Sequence, residues 1–359
     1  MAGGDQIIPP PVCVAVLNHK SRDGFVDYAH GPRKYVPGTH PPINYHAYAA
    51  ATRGAFFDKA TDVIEQKDRF DAVLVLIRSR TWVTLDAVKQ LKEAGMKVLV
   101  SWKESGPYQI TKQLSSSTKA LQGYQEILML ADGILSPTRV TPPRWGWISS
   151  EEFWRKTRFV PTPYPLEYPE WDFSVPLNER KGLMVGTREF FTPTQNHLRA
   201  LARSATLAGQ LKIPVTVVNA DGRKGRELLR NLEESFPEAS LHIIEGKLPY
   251  DQYLKLISSH RVVFQLDRSV VPGQVAGDAL LARTLCAGGN SAIEEEAFPD
   301  FCDGRTADLQ AVYKKIADVF QDDAIYEHEV KMTQRLAFET VSYGAVADRL
   351  KKFIDELDV

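Results

Sequence analysis

The chain has 359 residues, enough for two domains of ordinary size. Its 44 Lys and Arg against 45 Asp and Glu leave a net charge of -1, which argues against a broad nucleic-acid-binding face. Three cysteines, Cys13, Cys286 and Cys302, are too few and too scattered for a disulfide framework or a cysteine-rich metal site, and they fit a reducing, cytoplasmic compartment. The opening MAGGDQIIPPP has no basic or apolar leader character. No run reaches the roughly 18 apolar residues of a membrane span. Peripheral membrane contact through the aromatic-basic stretch Trp145 to Phe159 stays open.

In chain order, short apolar runs alternate with segments of helical period. Pro11 to Leu17, Asp71 to Ile77, Lys97 to Trp102 and Gly133 to Pro137 read as strands. Between them, His46 to Glu65, Thr84 to Ala94 and Gln109 to Leu130 read as helices. Val160 to Pro176 is proline-rich and predicts a break. The pattern then repeats, with strands at Gly182 to Thr187, Pro214 to Ala220, Ser240 to Gly246 and Arg261 to Asp267. Helices are predicted at Gln195 to Leu211, Lys224 to Phe236, Pro249 to Ser259 and Gln274 to Cys286, and the tail from Asp308 to Val359 is almost wholly helical in pattern. Apolar runs without alternation are strands covered on both faces, and strands alternating with helices make a parallel sheet. Two α/β domains follow.

The segment Asn18 to Asn44 is an unusually long loop at the carboxyl end of the first strand, where such folds bind ligands. It carries His19, His30, His40, Asp23 and the pair Arg33-Lys34, with His46 just beyond. No H-x-x-x-H or H-E-x-x-H spacing points to a metal. A histidine can act as general base because its unperturbed pKa sits near neutrality.

In the second half, Gly186 lies near the end of a predicted strand that Arg188 follows, and Lys247 and Tyr250 follow another. A glycine admits close backbone approach, and a guanidinium fork fits a diphosphate. Arg188 and Lys247 on adjacent strand ends would clamp one; as single residues they are equally solvated surface cations. Gly273 precedes a predicted helix carrying Asp278. That carboxylate can accept from a ribose diol or simply complement the helix dipole. Asp267 and Arg268 can pair locally. No G-x-S-x-G, G-x-G-x-x-G or G-K-[ST] element is present, which counts against an α/β-hydrolase, a dinucleotide oxidoreductase and a P-loop enzyme.

Several segments together resemble GT-B glycosyltransferases, in particular their large retaining group. They are Ala131-Asp-Gly-Ile-Leu-Ser136, Phe159-Val-Pro-Thr-Pro, Gly182-Leu-Met-Val-Gly186, Glu245-Gly-Lys247-Leu-Pro-Tyr250 and Gly273-Gln-Val-Ala-Gly-Asp278-Ala. The resemblance covers about residues 130 to 300. It implies two Rossmann-like α/β domains: an acceptor-side domain over 1–165, a linker over 166–178, a donor domain over 179–325 and helices crossing back over 326–359. It further implies a nucleotide-sugar donor held by Gly186, Arg188, Lys247, Tyr250, Gly273 and Asp278, no essential metal, and a glycan or small-molecule acceptor for which His19, His40, His46 and Asp23 are the acceptor-side candidates. Two departures stand out. The first acidic position of the group falls on Val270, and no lysine follows Arg188 in Thr192-Pro-Thr-Gln-Asn196. They keep a second expectation alive, a non-catalytic GT-B-like subunit that binds a nucleotide, a glycan or a protein.

Overall fold

The computed structural model describes residues 10–32, 34–104, 106–115, 117–144, 148–186, 190–191, 194, 196–238, 240–302 and 308–358. The chain divides into two compact units, one of residues 1–33, 41–165 and 342–359, the other of residues 34–40 and 166–341.

The first unit contains β1 (Val14–Leu17), β2 (Val26–Asp27), α1 (Asn44–Ala51), β3 (Ala55–Phe57), α2 (Ala60–Glu65), β4 (Ala72–Ile77), α3 (Thr81–Glu93), β5 (Val98–Trp102), α4 (Pro107–Leu114), α5 (Thr118–Leu130), β6 (Gly133–Ser136), α6 (Ser150–Arg155) and β7 (Thr157–Phe159). Its strands run in the order β2-β3-β1-β4-β5-β6-β7, all parallel except β2. β1, β4, β5 and β6 are buried at every residue, as their apolar runs without alternation predict.

The second unit contains β8 (Leu183–Val185), α7 (His197–Leu211), β9 (Val215–Asn219), α8 (Gly222–Glu233), β10 (Leu241–Glu245), α9 (Tyr250–Ser258), β11 (Val262–Phe264), α10 (Gln274–Leu281), β12 (Leu285–Ala287), α11 (Ala292–Ala297), α12 (Leu309–Gln321) and α13 (Asp323–Val341). All its strands are parallel, in the order β10-β9-β8-β11-β12. The last helix, α14 (Tyr343–Glu356), returns to the first unit and packs on α1.

Three predicted helices need correction. His46 to Glu65 is not one helix: α1 ends at Ala51, β3 intervenes, and α2 follows. Gln109 to Leu130 is two helices, with Ser117 capping the second through a hydrogen bond from the Ala120 N–H at 3.1 Å. Gln274 to Cys286 stops at Leu281, and Cys286 lies in β12. Within the proline-rich break a short 3-10 turn forms at Pro169–Trp171, and another follows it at Leu177–Glu179; Trp171 is buried, and the Phe173 N–H donates to the Leu281 carbonyl at 2.9 Å.

Candidate functional site

In the second unit the chain leaves β8 for β9 and β10 on one side, then returns to β11 and β12 on the other. Strand order therefore reverses between β8 and β11. In open parallel sheets the crevice outside the carboxyl ends of such a pair is where ligands bind. Gly186 follows β8 there, and Gln265 to Gly273 follow β11. Arg188 lies outside the described residues, with its neighbours Thr187 and Glu189.

The two loops are tied together. The Asn196 amide donates to the Leu266 carbonyl at 3.0 Å, and the Arg268 N–H donates to the Thr194 carbonyl at 2.9 Å. Asp267 accepts from the Ser269 N–H at 2.7 Å and from the Ser269 hydroxyl, which folds the loop on itself. Burial, then the neighbouring Arg199, lowers the Arg268 pKa. Val270 has a φ of 49°, a region that β-branched residues rarely enter. Its N–H donates to Asn290 Oδ1 at 3.3 Å. Backbone held in so sparse a region needs support from its surroundings, and it gathers at binding sites.

Both predicted glycines are required by the fold itself. Gly273 has a φ of 104°, and a Cβ there would stand 2.3 Å from Ser291 Oγ. A Cβ on Gly186 would stand 2.7 Å from methyl groups of Val263 and Val275. The close approach at each position is thus made by protein side chains.

Behind these loops sits Glu294, which sequence reasoning passed over. It is fully buried on α11. It accepts from the Gly289 N–H at 3.0 Å, the Ser291 N–H at 3.0 Å, the Ser291 hydroxyl at 2.7 Å and Gln265 Nε2 at 3.1 Å. Burial pushes its carboxyl up, against the downward pull of the Ser291 and Gln265 donors. Ser291-Ala-Ile-Glu294 forms a complete capping box, a signal legible in the sequence. Through Gly289 and Ser291, Glu294 shapes the segment whose Asn290 holds Val270 and whose Ser291 faces Gly273.

Tyr250 and Asp278 meet directly. Tyr250 opens α9, and its hydroxyl donates to Asp278 Oδ1. Asp278 is 0% exposed. His40 packs edge-on against Tyr250, with ring centroids 5.6 Å apart. Next along α9, Asp251 accepts from the Tyr35 hydroxyl at 3.1 Å. Burial pushes the Asp251 carboxyl up, but hydrogen bonds from Tyr35 and from the Gly38 backbone outweigh it and hold the pKa low. Tyr35, another residue not singled out in the sequence, also packs edge-on against Trp171 and Phe173, at 5.6 and 5.3 Å. Lys247 is exposed after β10. The expectation that Arg188 and Lys247 end adjacent strands is corrected here, because β9 lies between β8 and β10.

The first unit has its own reversal, between β1 and β4. Asn18 and His19 follow β1, and Arg78 to Arg80 follow β4. The Asn18 amide donates to Asp23 Oδ2 at 3.0 Å, so Asp23 does sit at this edge. Burial, then Lys20, lowers the His19 pKa. His46, on α1, stacks on Phe56 with centroids 3.6 Å apart, and its Nδ1 meets the Tyr28 hydroxyl at 3.0 Å. The structure thus divides the four acceptor-side candidates: His19, Asp23 and His46 belong to the first unit, and His40 to the second.

Among the described residues no group of three or more His, Cys, Asp or Glu is placed to hold a metal, and no helix is long and apolar enough to cross a membrane. No protein-family profile and no curated protein sequence matches the chain. Solved structures do. A UDP-forming α,α-trehalose-phosphate synthase from Burkholderia xenovorans is 12% identical over 88% of this chain and 80% of its own, with a TM-score of 0.55. HepE of Anabaena, in complex with UDP and glucose, is 11% identical over 82% of this chain and 81% of its own, with a TM-score of 0.52. An α-glucosyltransferase in complex with UDP and a 13-mer DNA containing an HMU base is 9% identical over 96% of this chain and 99% of its own, with a TM-score of 0.54. At these identities the likeness establishes the fold. The chain has GT-B architecture: two Rossmann-like α/β domains with helices at the carboxyl terminus.

Proposed function

We propose that the protein is a glycosyltransferase that moves a sugar from a nucleotide-sugar donor to an acceptor, with the donor on the second unit and the acceptor met by the first. The observation that carries this reading is the GT-B likeness, which spans up to 96% of the chain and takes in both units. The reversal of strand order between β8 and β11 supports the choice of donor side. UDP sugars are the first donors to test, since HepE and the α-glucosyltransferase were both solved with UDP.

Transfer develops negative charge on the departing diphosphate, so fixed cations that face it lower the barrier. Arg188 and Lys247 are the candidates for that role. Asp278 is the candidate for the ribose diol, with Gly186, Gly273 and Tyr250 shaping the pocket around it. His19, Asp23, His40 and His46 are the candidates for orienting an acceptor hydroxyl or taking its proton. The acceptor class is a glycan or a small hydroxylated molecule.

A thermal-shift series with UDP, GDP, ADP, CDP and TDP and their sugar conjugates tests this. A ligand that binds only the folded state raises the melting temperature by mass action. One nucleotide at millimolar concentration is expected to raise it clearly, and no shift with any of them would remove the donor site. Val270 supports a second reading, in which the protein is a non-catalytic GT-B-like subunit. An apolar side chain stands where the resemblance places an acid. Nucleotide binding without sugar transfer or nucleotide-sugar hydrolysis would favour that reading.

A further inference from the structure

The donor reading gives Asp278 to the ribose, yet no solvent reaches that side chain: it is 0% exposed and the Tyr250 hydroxyl donates to it. We propose that Tyr250 is a gate over Asp278, that residues 34–40 are the latch on this gate, and that a nucleoside diphosphate enters when the latch lets go. The inference rests on the donor-site reading and adds how access to that site is controlled.

The latch grips the first turn of α9 at two consecutive residues. His40 lies edge-on against Tyr250, at 5.6 Å and 73°. Tyr35 donates to Asp251 at 3.1 Å, and the Gly38 backbone also hydrogen-bonds that carboxylate. The grip is anchored behind by the Tyr35 ring, edge-on to the buried Trp171 and Phe173. Between the anchors the segment closes on itself as a turn. The Thr39 N–H donates to the Val36 carbonyl at 3.0 Å and the Thr39 hydroxyl to the same oxygen at 2.6 Å.

Apart from Tyr35, every described residue of this segment is exposed. A short, exposed turn belongs to the low-stability end of a structure, the end from which lids are drawn. Release is close to balanced once a ligand is present. Opening removes one hydroxyl donor from the Asp278 carboxylate, and a ribose diol supplies two. Without the ligand, the same opening leaves a buried carboxylate short of a donor, and that favours the closed state. The apparent affinity is then the intrinsic one reduced by the fraction of open protein.

Tyr35 is the place to test this, because its hydroxyl bonds Asp251 and not Asp278. Tyr35→Phe removes the hydroxyl and keeps the ring packing; Tyr35→Ala removes both. UDP binding to the full chain would be followed by stopped-flow fluorescence and isothermal titration for the wild type and both variants. Association is expected to quicken and affinity to tighten in the order wild type, Tyr35→Phe, Tyr35→Ala, by about tenfold at the end of the series if about a tenth of the wild type is open. UDP binding with the same rate and affinity in all three proteins, or weaker binding in the variants, overturns the gate and leaves the donor site standing. No UDP binding by any of the three overturns the donor-site reading itself.

Discussion

The two units are built on the same parallel-sheet plan, and they differ in where they put charge. Every buried carboxylate among the described residues lies in the second unit: Asp251, Asp267, Asp278, Glu294 and Glu296. Among its described residues the first unit buries one charged side chain, Lys156, and it keeps the acid at its own switch point, Asp23, exposed. Burying a carboxylate costs several kcal/mol of desolvation unless donors surround it. Glu294 and Asp267 have such donors, and they hold the loops of one sheet edge in strained backbone at Val270 and beside Gly273. The second unit thus accepts an electrostatic cost at one edge, which is how perturbed groups gather at a functional site.

The largest effect expected from this contrast is at Glu294. In Glu294→Ala the N–H groups of Gly289 and Ser291 and the Gln265 amide lose their acceptor in a buried site. Orphaned buried donors cost about 1–3 kcal/mol each, and relaxation and entering water offset part of it. A loss of roughly 3 kcal/mol is expected. The matched change in the first unit is Lys156→Met. Lys156 donates to the Ala131 carbonyl at 3.2 Å and pairs with the half-exposed Glu152, also at 3.2 Å. An apolar side chain of similar volume replaces it at about 1 kcal/mol or less, as exchanges of buried ionic groups for packed hydrophobes often do. Urea midpoints of both variants decide the matter. Equal losses would break the contrast between the units.

The sheets were far more legible than the site. Asp71 to Ile77 reads as a covered strand because every side chain in it wants burial, and β4 follows from that alone. β3 was hidden inside an alanine-rich run of helical composition. What breaks that run is Gly54, where a Cβ would stand 1.9 Å from the Val14 carbonyl oxygen, a constraint set by a strand forty residues away. β12 was hidden the same way, in the stretch that Arg283 turns with a φ of 48°. At the site, Tyr250 and Asp278 each carry a readable chemistry, but their hydrogen bond joins positions 28 residues apart. The Tyr35 contact with Asp251 spans 216 residues. No local pattern encodes such a pairing, so His40 reads as one more loop histidine until the fold brings it to α9.

Acid should sharpen the contrast as well. Burial lowers the His197 pKa to about 3, and it also lowers that of His260; both are in the second unit. His197 is neutral in the fold and takes up a proton on unfolding once the pH drops below about 6.5. Stability tied to it is therefore whole above pH 6.5 and shrinks as pH falls toward 3, by up to about 1.4 kcal/mol per pH unit, and His260 acts in the same direction. Glu294 titrates in the opposite sense, since its raised pKa favours the fold as pH drops. The His197 share is read as the difference between wild type and His197→Phe, whose ring can keep the stacking on Phe190. Between pH 7 and pH 4 the wild-type urea midpoint should fall further than that of the variant. A constant gap would show that His197 does not set the acid response.

The smallest effect belongs to the first unit's ion pairs. Lys97 meets Asp358 at 2.6 Å, and Arg158 meets Glu356 at 2.7 Å, both joining the end of α14 to the sheet. The Asp358 side chain is 65% exposed, so water and salt screen its pair. What fastens α14 is its apolar face: Val346, Leu350, Phe353 and Ile354 are all buried. Asp358→Asn should therefore cost less than about 1 kcal/mol, the range of exposed ion pairs, and the difference should shrink in 0.5 M salt, where the Debye length falls to about 4 Å. Urea midpoints at low and high salt measure both. A loss approaching that of Glu294→Ala would mean that the first unit also depends on charge, and that the two sheet edges differ in exposure alone.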